Sequence, residues 1–239
     1  MQTILILGAT SPIGAALSEQ FSDGNRIVLS ARNQARLSAV ADRCAKAGAL
    51  AVKIAATDLA QTIQPIIDAN SECSIDLIID AASAASGASR VRDPDIAPDA
   101  MRSIVQADVL SHLDLYRQLG RLNKKHPDVV FISTVLAIVK TPEREIYSTV
   151  KRLVEIYLEK LATAEPAVKV LIFRVGKLID PKKDSPEAKA MAKMVQHVLS
   201  TGNSKVMYGI SGHILIWLNT LHPILLSLIV RMQRIFRGR

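Results

Sequence analysis

A tyrosine and a lysine four residues apart, Tyr147 and Lys151, have the spacing in this sequence that best suits chemistry. They lie within residues 145–161, where apolar residues recur at helical spacing. Residues four apart share one face of a helix, so we expect the phenol and the ammonium to lie side by side. The positive charge would stabilise a phenolate, and such a phenol can exchange a proton with a substrate oxygen. An exposed pair without function is the alternative explanation of the spacing.

Two hydroxyl residues, Ser133 and Thr134, lie a short distance before this helix. They end the apolar run of residues 129–132, which predicts a strand buried on both faces. Such a strand would deliver both hydroxyls to the carboxyl edge of a sheet.

The elements that must position these groups alternate along the chain. Of its 239 residues, 49% are hydrophobic and 4% aromatic, which suits one domain whose sheet is covered by helices on both faces. Alternating strands and helices without repeats predict an α/β fold with a doubly wound, mostly parallel, seven-stranded sheet. The strands are predicted at residues 3–7, 26–32, 51–55, 75–80, 129–134, 169–174 and 205–208, and the main helices at 12–21, 33–47, 99–122, 145–161 and 186–200.

The first strand runs directly into a turn bounded by Gly8 and Gly14, and a helix follows. In this context a glycine motif indicates dinucleotide binding. Gly8 allows the turn, small residues let the backbone approach a pyrophosphate, and the helix N-terminus offers amide donors. Pro12 suits the first helical turn, where its missing N–H is not needed. An ordinary strand-to-helix turn is the alternative.

The ends of the second and third strands bear on the choice of dinucleotide. Where NAD-preferring enzymes place an acid, this chain has Ser30, Ala31 and Arg32. An arginine can bind a 2′-phosphate through charge-assisted hydrogen bonds, so the sequence favours NADP(H) over NAD(H). A solvated charge at a helix start is the alternative for Arg32. After the third strand, Asp58 would either bond the adenine amine or cap the next helix.

Taken together, these motifs resemble the short-chain dehydrogenase/reductase family over about residues 3–210. The family's glycine turn corresponds to residues 8–14, its Tyr-x3-Lys motif to Tyr147 and Lys151, and its catalytic hydroxyl to Thr134. The resemblance implies a Rossmann-like fold and an NADP(H)-dependent carbonyl reductase or alcohol dehydrogenase. Tyr147 would be the general acid in ketone reduction, Lys151 would assist it and hold the nicotinamide ribose, and Thr134 would hydrogen-bond the reacting oxygen.

The resemblance also assigns further positions. Asp108 falls at or near the family's helix asparagine and would join the catalytic set. The implied cofactor-binding residues are Gly8, Thr10, Ser11, Ile13, Gly14, Arg32, Asp58, Leu59, Ala81, Ala82, Tyr147, Lys151 and Gly176. We expect no metal site. Members of the family often pair through their long helices, which implies a homodimer or homotetramer.

Several residues depart from the family pattern. Pro12 replaces a glycine and removes one amide, and Asp80-Ala81-Ala82-Ser83 stands where the family has Asn-Asn-Ala-Gly. Thr134 replaces a serine but keeps the hydroxyl, and Asp108 replaces an amide. The altered 80–83 segment and Asp108 favour the alternative function, a non-catalytic nucleotide-binding protein with an interaction helix. The intact reactive set favours the enzyme.

Residues 1–210 form the predicted catalytic domain, and residues 211–239 form an extension beyond it. Plotted at 100° per residue, residues 219–236 have one apolar side and one polar, basic side, and interruptions make the segment too short to span a bilayer. A basic amphipathic helix with Trp217 and Phe236 near its ends predicts binding to an anionic membrane surface. Packing on the enzyme body or a dimer partner is the alternative.

The extension also bears on the substrate. Membrane-associated members of the family that reduce polyprenyl-linked keto-sugars are similar in having an apolar, basic C-terminal extension, which suggests a lipid-linked or membrane-borne carbonyl or alcohol. We expect His213 and His222 in this segment to be interfacial, because their spacing puts them on different helix faces.

The charge and the cysteine content limit which partners and which cellular compartment the sequence predicts. The net charge is +8, but five basic residues and no acid follow position 204, which leaves only +3 for residues 1–204. A nucleic-acid-binding body normally carries its basic excess on one face, so we expect no nucleic-acid partner. Cys44 and Cys73 are predicted to be buried thiols in a reducing compartment. The N-terminus lacks a secretion signal, which predicts a cytoplasmic protein, peripheral at the inner face of the membrane.

Overall fold

The computed structural model describes residues 1–59, 61–83, 96–123, 125–139, 145–176, 186–202 and 205–208. The strands within them are β1 (Thr3–Leu7), β2 (Arg26–Ala31), β3 (Ala51–Ala56), β4 (Leu77–Asp80), β5 (Asp128–Thr134), β6 (Val170–Val175) and β7 (Lys205–Tyr208). They form one sheet in the order β3-β2-β1-β4-β5-β6-β7, and every neighbouring pair is parallel. The prediction of a doubly wound, seven-stranded sheet is confirmed.

Helices cover both faces of the sheet. They are α1 (Pro12–Gln20), α2 (Gln34–Lys46), α3 (Gln64–Glu72), α4 (Pro98–Val105), α5 (Ser111–Leu122), α6 (Glu145–Ala164) and α7 (Pro186–Thr201). Helices α1, α2 and α7 bury their apolar residues in one core, and α3, α5 and α6 bury theirs in a second core on the opposite face. The second core is the one that positions the Tyr147 helix.

Strand β1 lies inside the sheet between β2 and β4, and its position indicates where a ligand can bind. All five of its residues are buried, and Ile4 and Ile6 face one core while Leu5 and Leu7 face the other. The strand order reverses between β1 and β4, so the connections after these two strands leave the sheet in opposite directions. In open α/β sheets this switch point, at the carboxyl ends of the strands, is where ligands bind.

The long helix predicted over residues 99–122 is present but not uniform. A π-helical turn, Gln106–Leu110, separates α4 from α5 and accommodates one extra residue in the helical ladder. The Ser111 hydroxyl donates to the Gln106 carbonyl at 2.8 Å across this turn. The turn carries Asp108, which is buried.

The predicted ends of the other strands and helices agree with the structure to within a few residues. No helix in the described part of the chain is long and apolar enough to span a bilayer. The predicted C-terminal helix, with His213 and His222, lies outside the described residues.

Candidate functional site

The turn between β1 and α1 has the geometry that the glycine pattern predicted. Gly8 has φ +68°, which is in the left-handed region where a side chain is strained. Ser11 caps α1, its hydroxyl accepting from the Gly14 N–H at 3.0 Å, and Pro12 occupies the first helical turn. Gly14 is required by close approach, because a Cβ there would lie 2.2 Å from the Gly8 carbonyl oxygen.

This turn fits a dinucleotide pyrophosphate. The first N–H groups of a helix have no acceptor within the helix itself. In α1, Pro12 has no N–H and Gly14 donates to Ser11, so the amide of Ile13 is the first-turn donor that the helix leaves free. The dipole of α1 adds a positive potential at the same place. Thr10 lies half-buried in the turn beside it.

The glycine turn packs directly on the segment that follows β4. A Cβ on Gly8 would lie 2.6 Å from the carbonyl oxygen of Ala81 and 2.8 Å from the Cα of Ala82. The two cofactor-binding segments proposed from the sequence are therefore one surface at the switch point of the sheet. Only glycine at position 8 allows the glycine turn and the segment after β4 to approach this closely.

A fully buried carboxylate, Asp80, ends β4 beneath this surface. The same oxygen of Asp80 accepts from His112 Nδ1 at 2.5 Å and from the Tyr116 hydroxyl, and the other oxygen accepts from the Ala82 N–H at 3.1 Å. Burial alone would raise the pKa of Asp80, but His112 and Lys151 outweigh it and lower that pKa below its ordinary value. Because an ionised carboxylate only accepts hydrogen bonds, Nδ1 of His112 carries the proton.

Tyr116 completes this buried group. Burial and the adjacent Asp80 charge raise the pKa of Tyr116 well above its ordinary value, so the phenol stays protonated and donates. Its ring stacks on Tyr157 of α6 and meets His112 edge-on. The contact with Tyr157 connects α5 with α6, the helix that carries Tyr147 and Lys151.

Asp108 forms a second connection to the same segment. Its carboxylate accepts from the Ser83 hydroxyl at 3.0 Å. The altered residues at both ends of the 80–83 segment are thus bonded to the helical stretch formed by α4, the π turn and α5.

Lys151 is buried, with 4% of its surface exposed. Its ammonium donates to the main-chain carbonyls of Ala82 at 3.0 Å and Ile132 at 3.3 Å, and lies 4.7 Å from the centre of the Phe131 ring. Two carbonyls and a ring face compensate partly for the desolvation of the charge. The structure therefore excludes the alternative of an exposed surface lysine.

Tyr147 is half-buried on the first turns of α6, one helical turn before Lys151, and packs against the second core. Thr134 ends β5, and its hydroxyl accepts from the Leu136 N–H at 3.3 Å, capping a short 3₁₀ turn (Val135–Ala137). Thr134 therefore stands at the carboxyl end of β5, two residues after Ile132, whose carbonyl accepts from the Lys151 ammonium. This agrees with the predicted delivery of both hydroxyls to the sheet edge.

Ser133, next to Thr134, differs from it in its surroundings. Side chains alternate along a strand, so Ser133 lies on the same face of β5 as Phe131, towards α6. Its hydroxyl is buried and has no hydrogen-bond partner among the described residues.

The remaining predicted cofactor residues lie at the same edge of the sheet. Arg32 is exposed just after β2, and Asn33 caps α2 beside it. Leu59 is half-buried against the second core, and Gly176 directly follows β6. The prediction that Asp58 could cap the next helix is wrong, because α3 begins six residues later and has no side-chain cap.

The described residues also hold an open depression of about 580 Å³. It lies between the 3₁₀ turn region and α6, and Ser148, Thr149 and Arg152 line part of it. Neither Tyr147 nor Lys151 lines it, so it is not the reaction centre that the geometry favours.

Cysteine placement agrees with the prediction only in part. Cys44 is buried, and burial raises the pKa of its thiol, whereas Cys73 is only half-buried. Across the described residues, no group of His, Cys, Asp or Glu side chains is arranged to hold a metal ion.

Sequence reasoning missed the residues around Asp80. His112 and Tyr116 are four apart on a helix and so share one face, and Asp80 ends a buried strand. A buried carboxylate needs donors, and this pair could have been considered as their source. Which strand end they reach depends on packing.

Comparison with known proteins supplies an independent result. The model of the short chain dehydrogenase family matches residues 2–176. No curated protein sequence matches the chain.

Three solved structures illustrate the likeness in fold. An alcohol dehydrogenase from Thermococcus sibiricus complexed with 5-hydroxy-NADP has 15% identity and a TM-score of 0.73, covering 87% of this chain and 96% of its own. A short-chain dehydrogenase from Sphingobium yanoikuyae in complex with NADPH has 18% identity and a TM-score of 0.69, with 87% of both chains covered. A 3-oxoacyl-[acyl-carrier protein] reductase from Brucella melitensis has 18% identity and a TM-score of 0.73, covering 86% and 94%. At these identities the likeness concerns the fold alone.

Proposed function

The chain belongs to the short-chain dehydrogenase family of oxidoreductases, and from this premise we propose that it is an NADP(H)-dependent carbonyl reductase or alcohol dehydrogenase. Its reactive residues would be Thr134, Tyr147 and Lys151. The substrate class is a small or lipid-linked carbonyl compound, or the corresponding alcohol.

One observation carries this proposal. A buried ammonium is costly, and here it is held by the carbonyls of Ala82 and Ile132 one helical turn from Tyr147. Ala82 also touches Gly8 of the glycine turn. A fixed charge between a dinucleotide-binding turn and a phenol suits proton transfer beside a bound nicotinamide.

Three residues of the chain would have distinct roles in the reaction. Tyr147 would donate its phenolic proton to the carbonyl oxygen during reduction, and would take that proton back during oxidation. Lys151 would stabilise the phenolate that remains, and Thr134 would donate a hydrogen bond to the reacting oxygen, where charge develops. The chemistry that a bound nicotinamide would supply to this site is a hydride for the carbonyl carbon.

Cofactor binding would involve both sides of the switch point. The glycine turn and the amide of Ile13 would bind the pyrophosphate, and Lys151 would hold the nicotinamide ribose. Arg32, just after β2, would bind a 2′-phosphate, which is the reason to prefer NADP(H). Asp108 would join the catalytic set by holding the Ser83 hydroxyl in place.

The C-terminal extension motivates the membrane part of the proposal. Its basic, amphipathic sequence would bind anionic lipid at the cytoplasmic face and bring the domain to a membrane-borne substrate. Deletion of residues 212–239 should abolish co-sedimentation with anionic vesicles and leave the thermal stability of the domain unchanged. An unchanged pellet, or loss of the fold, would contradict this part.

The test of the reaction separates the enzyme from the non-catalytic alternative. Thermal unfolding is measured with NADPH and with NADH; a ligand at 100 times its Kd stabilises the native state by about 2.7 kcal/mol. We expect the larger shift with NADPH. Tyr147→Phe should then keep this shift and lose turnover in a screen of carbonyl substrates by about 100-fold or more. Turnover that survives in Tyr147→Phe refutes the mechanism, and no shift with either nucleotide refutes the cofactor.

A further inference from the structure

The buried group formed by Asp80, His112 and Tyr116 lies under the proposed site and has no part in the reaction described above. The three residues are 0%, 2% and 1% exposed. Three donors converge on the Asp80 carboxylate: the His112 imidazole, the Tyr116 phenol and the main-chain N–H of Ala82. A buried charge is retained in a fold only where such partners offset its desolvation.

The group reaches the reactive lysine through one residue. Ala82 donates its N–H to Asp80 and accepts from the Lys151 ammonium through its carbonyl. Both main-chain groups of Ala82 are therefore used, one for the buried carboxylate and one for the reactive helix. A displacement of Asp80 would move the carbonyl that holds Lys151.

The same arrangement fixes the proposed cofactor surface. Ala81 and Ala82 pack against Gly8, so the segment after β4 lies between the glycine turn and Lys151. Ser83 is bonded to Asp108 at the far end of this segment. The Asp80 end depends on α5, since His112 and Tyr116 both lie on that helix.

Resting on the proposed function, we propose that Asp80, His112 and Tyr116 are positioning residues that hold Ala82 and, through it, the Lys151 ammonium. His112 orients the carboxylate from one side, and the Tyr116 ring transmits the position of α6 through its stack on Tyr157. The group acts on cofactor affinity and on the lysine, and it does not contact the reacting atoms.

The experiment compares two substitutions of His112 in the full chain. His112→Leu removes the donor to Asp80. His112→Asn keeps one, because the amide nitrogen of asparagine occupies about the place of Nδ1. We expect His112→Leu to raise the Kd for NADPH, measured by cofactor fluorescence, about tenfold. In His112→Asn, we expect this Kd to stay within about threefold of the native value.

A second readout follows Lys151 itself. Acylation of lysines by a water-soluble ester is followed by mass spectrometry, with the exposed Lys189 and Lys193 on α7 as internal standards. We expect the acylation rate of Lys151 to rise about fivefold in His112→Leu and to stay near native in His112→Asn. This readout needs no cofactor, so it tests the positioning role even if the protein binds neither NADPH nor NADH.

A matched control separates positioning from loss of stability. Val195→Ala removes buried apolar atoms from the opposite core and should lower the melting temperature without changing either readout. If His112→Leu loses stability but keeps native cofactor affinity and native Lys151 reactivity, the proposal is wrong. If His112→Leu does not fold, Tyr116→Phe, which keeps the ring stack, decides by the same readouts.

Discussion

Arg174 on β6 and Glu155 on α6 form a bidentate ion pair, with Nε to Oε1 at 3.0 Å and Nη2 to Oε2 at 2.9 Å. Both side chains are buried, and Glu155 lies one helical turn after Lys151. Arg152 also donates to Glu155 at 2.9 Å and joins it to Glu159. The pair therefore joins α6 to β6 one helical turn from the buried Lys151.

Replacing one member of this ion pair should destabilise the protein more than replacing both members by apolar residues. Glu155→Leu removes both hydrogen bonds of the buried Arg174 guanidinium and leaves it, among the described residues, only the Glu159 carboxylate at 4.0 Å, so it should cost about 3 kcal/mol of unfolding free energy. The double variant with Arg174→Met replaces both charges by apolar groups and should recover most of that loss. Urea unfolding of the two single variants and the double variant gives the coupling energy. Additive losses would show that the pair does not act as a unit.

Asp80 should give the protein a specific acid sensitivity. Its pKa is lowered in the fold, so the native state prefers the ionised form more than the unfolded chain does. The stability this provides is present above about pH 4 and is lost as the pH falls through the lowered folded pKa. Urea unfolding from pH 6 to pH 3 should therefore show a steeper loss in the native protein than in Asp80→Asn. Equal slopes would contradict the assignment.

The neighbouring hydroxyls Ser133 and Thr134 should respond differently to removal. Ser133→Ala deletes a buried hydroxyl that has no partner among the described residues, so stability should stay within about 0.5 kcal/mol or rise. Thr134→Ala deletes the cap of the 3₁₀ turn and should cost about 1 kcal/mol. Turnover should fall about 100-fold in Thr134→Ala and change little in Ser133→Ala. The reverse order would assign the catalytic hydroxyl to Ser133.

A comparison of Gly8 with Gly24 separates two contributions to the free energy of unfolding. One is the strain of a left-handed backbone, and the other is the steric overlap of a side chain with a neighbouring segment. Both glycines have φ +68°, but a Cβ on Gly8 would meet Ala81, whereas the described residues leave the space around Gly24 open. Gly24→Ala should cost about 1–2 kcal/mol, from the left-handed conformation alone. Gly8→Ala should cost more and should abolish the thermal shift with NADPH. Equal losses in both variants would refute the packing of the turn on Ala81.

Arg32 should set the preference for the phosphorylated cofactor. Arg32→Ala should raise the Kd for NADPH about 10- to 100-fold and leave that for NADH nearly unchanged, since charge-assisted hydrogen bonds contribute about 1.5–3 kcal/mol. Arg26→Ala is the matched control, because Arg26 is an exposed arginine at the opposite end of the same strand. An equal effect of both variants would indicate general electrostatic attraction.

The sequence by itself determined the parts of this protein that depend on local geometry. Strand and helix periods follow from the backbone, so the alternation of elements, the parallel sheet and the shared helix face of Tyr147 and Lys151 could be predicted. The glycine turn was equally local, because one residue with positive φ and one close approach lie within seven positions. The role of residues 211–239 stays a prediction.

Only the tertiary structure decided which distant groups meet. Asp80 binds side chains 32 and 36 positions away, and Arg174 binds one 19 positions away. No local period relates such residues; their contact depends on which helix packs over which strand. The altered 80–83 segment illustrates the difference: in sequence it looked like an eroded motif, while in the fold its carboxylate is bonded by three donors. A buried charge can be judged only when its partners are known, because the partners decide whether its desolvation is offset.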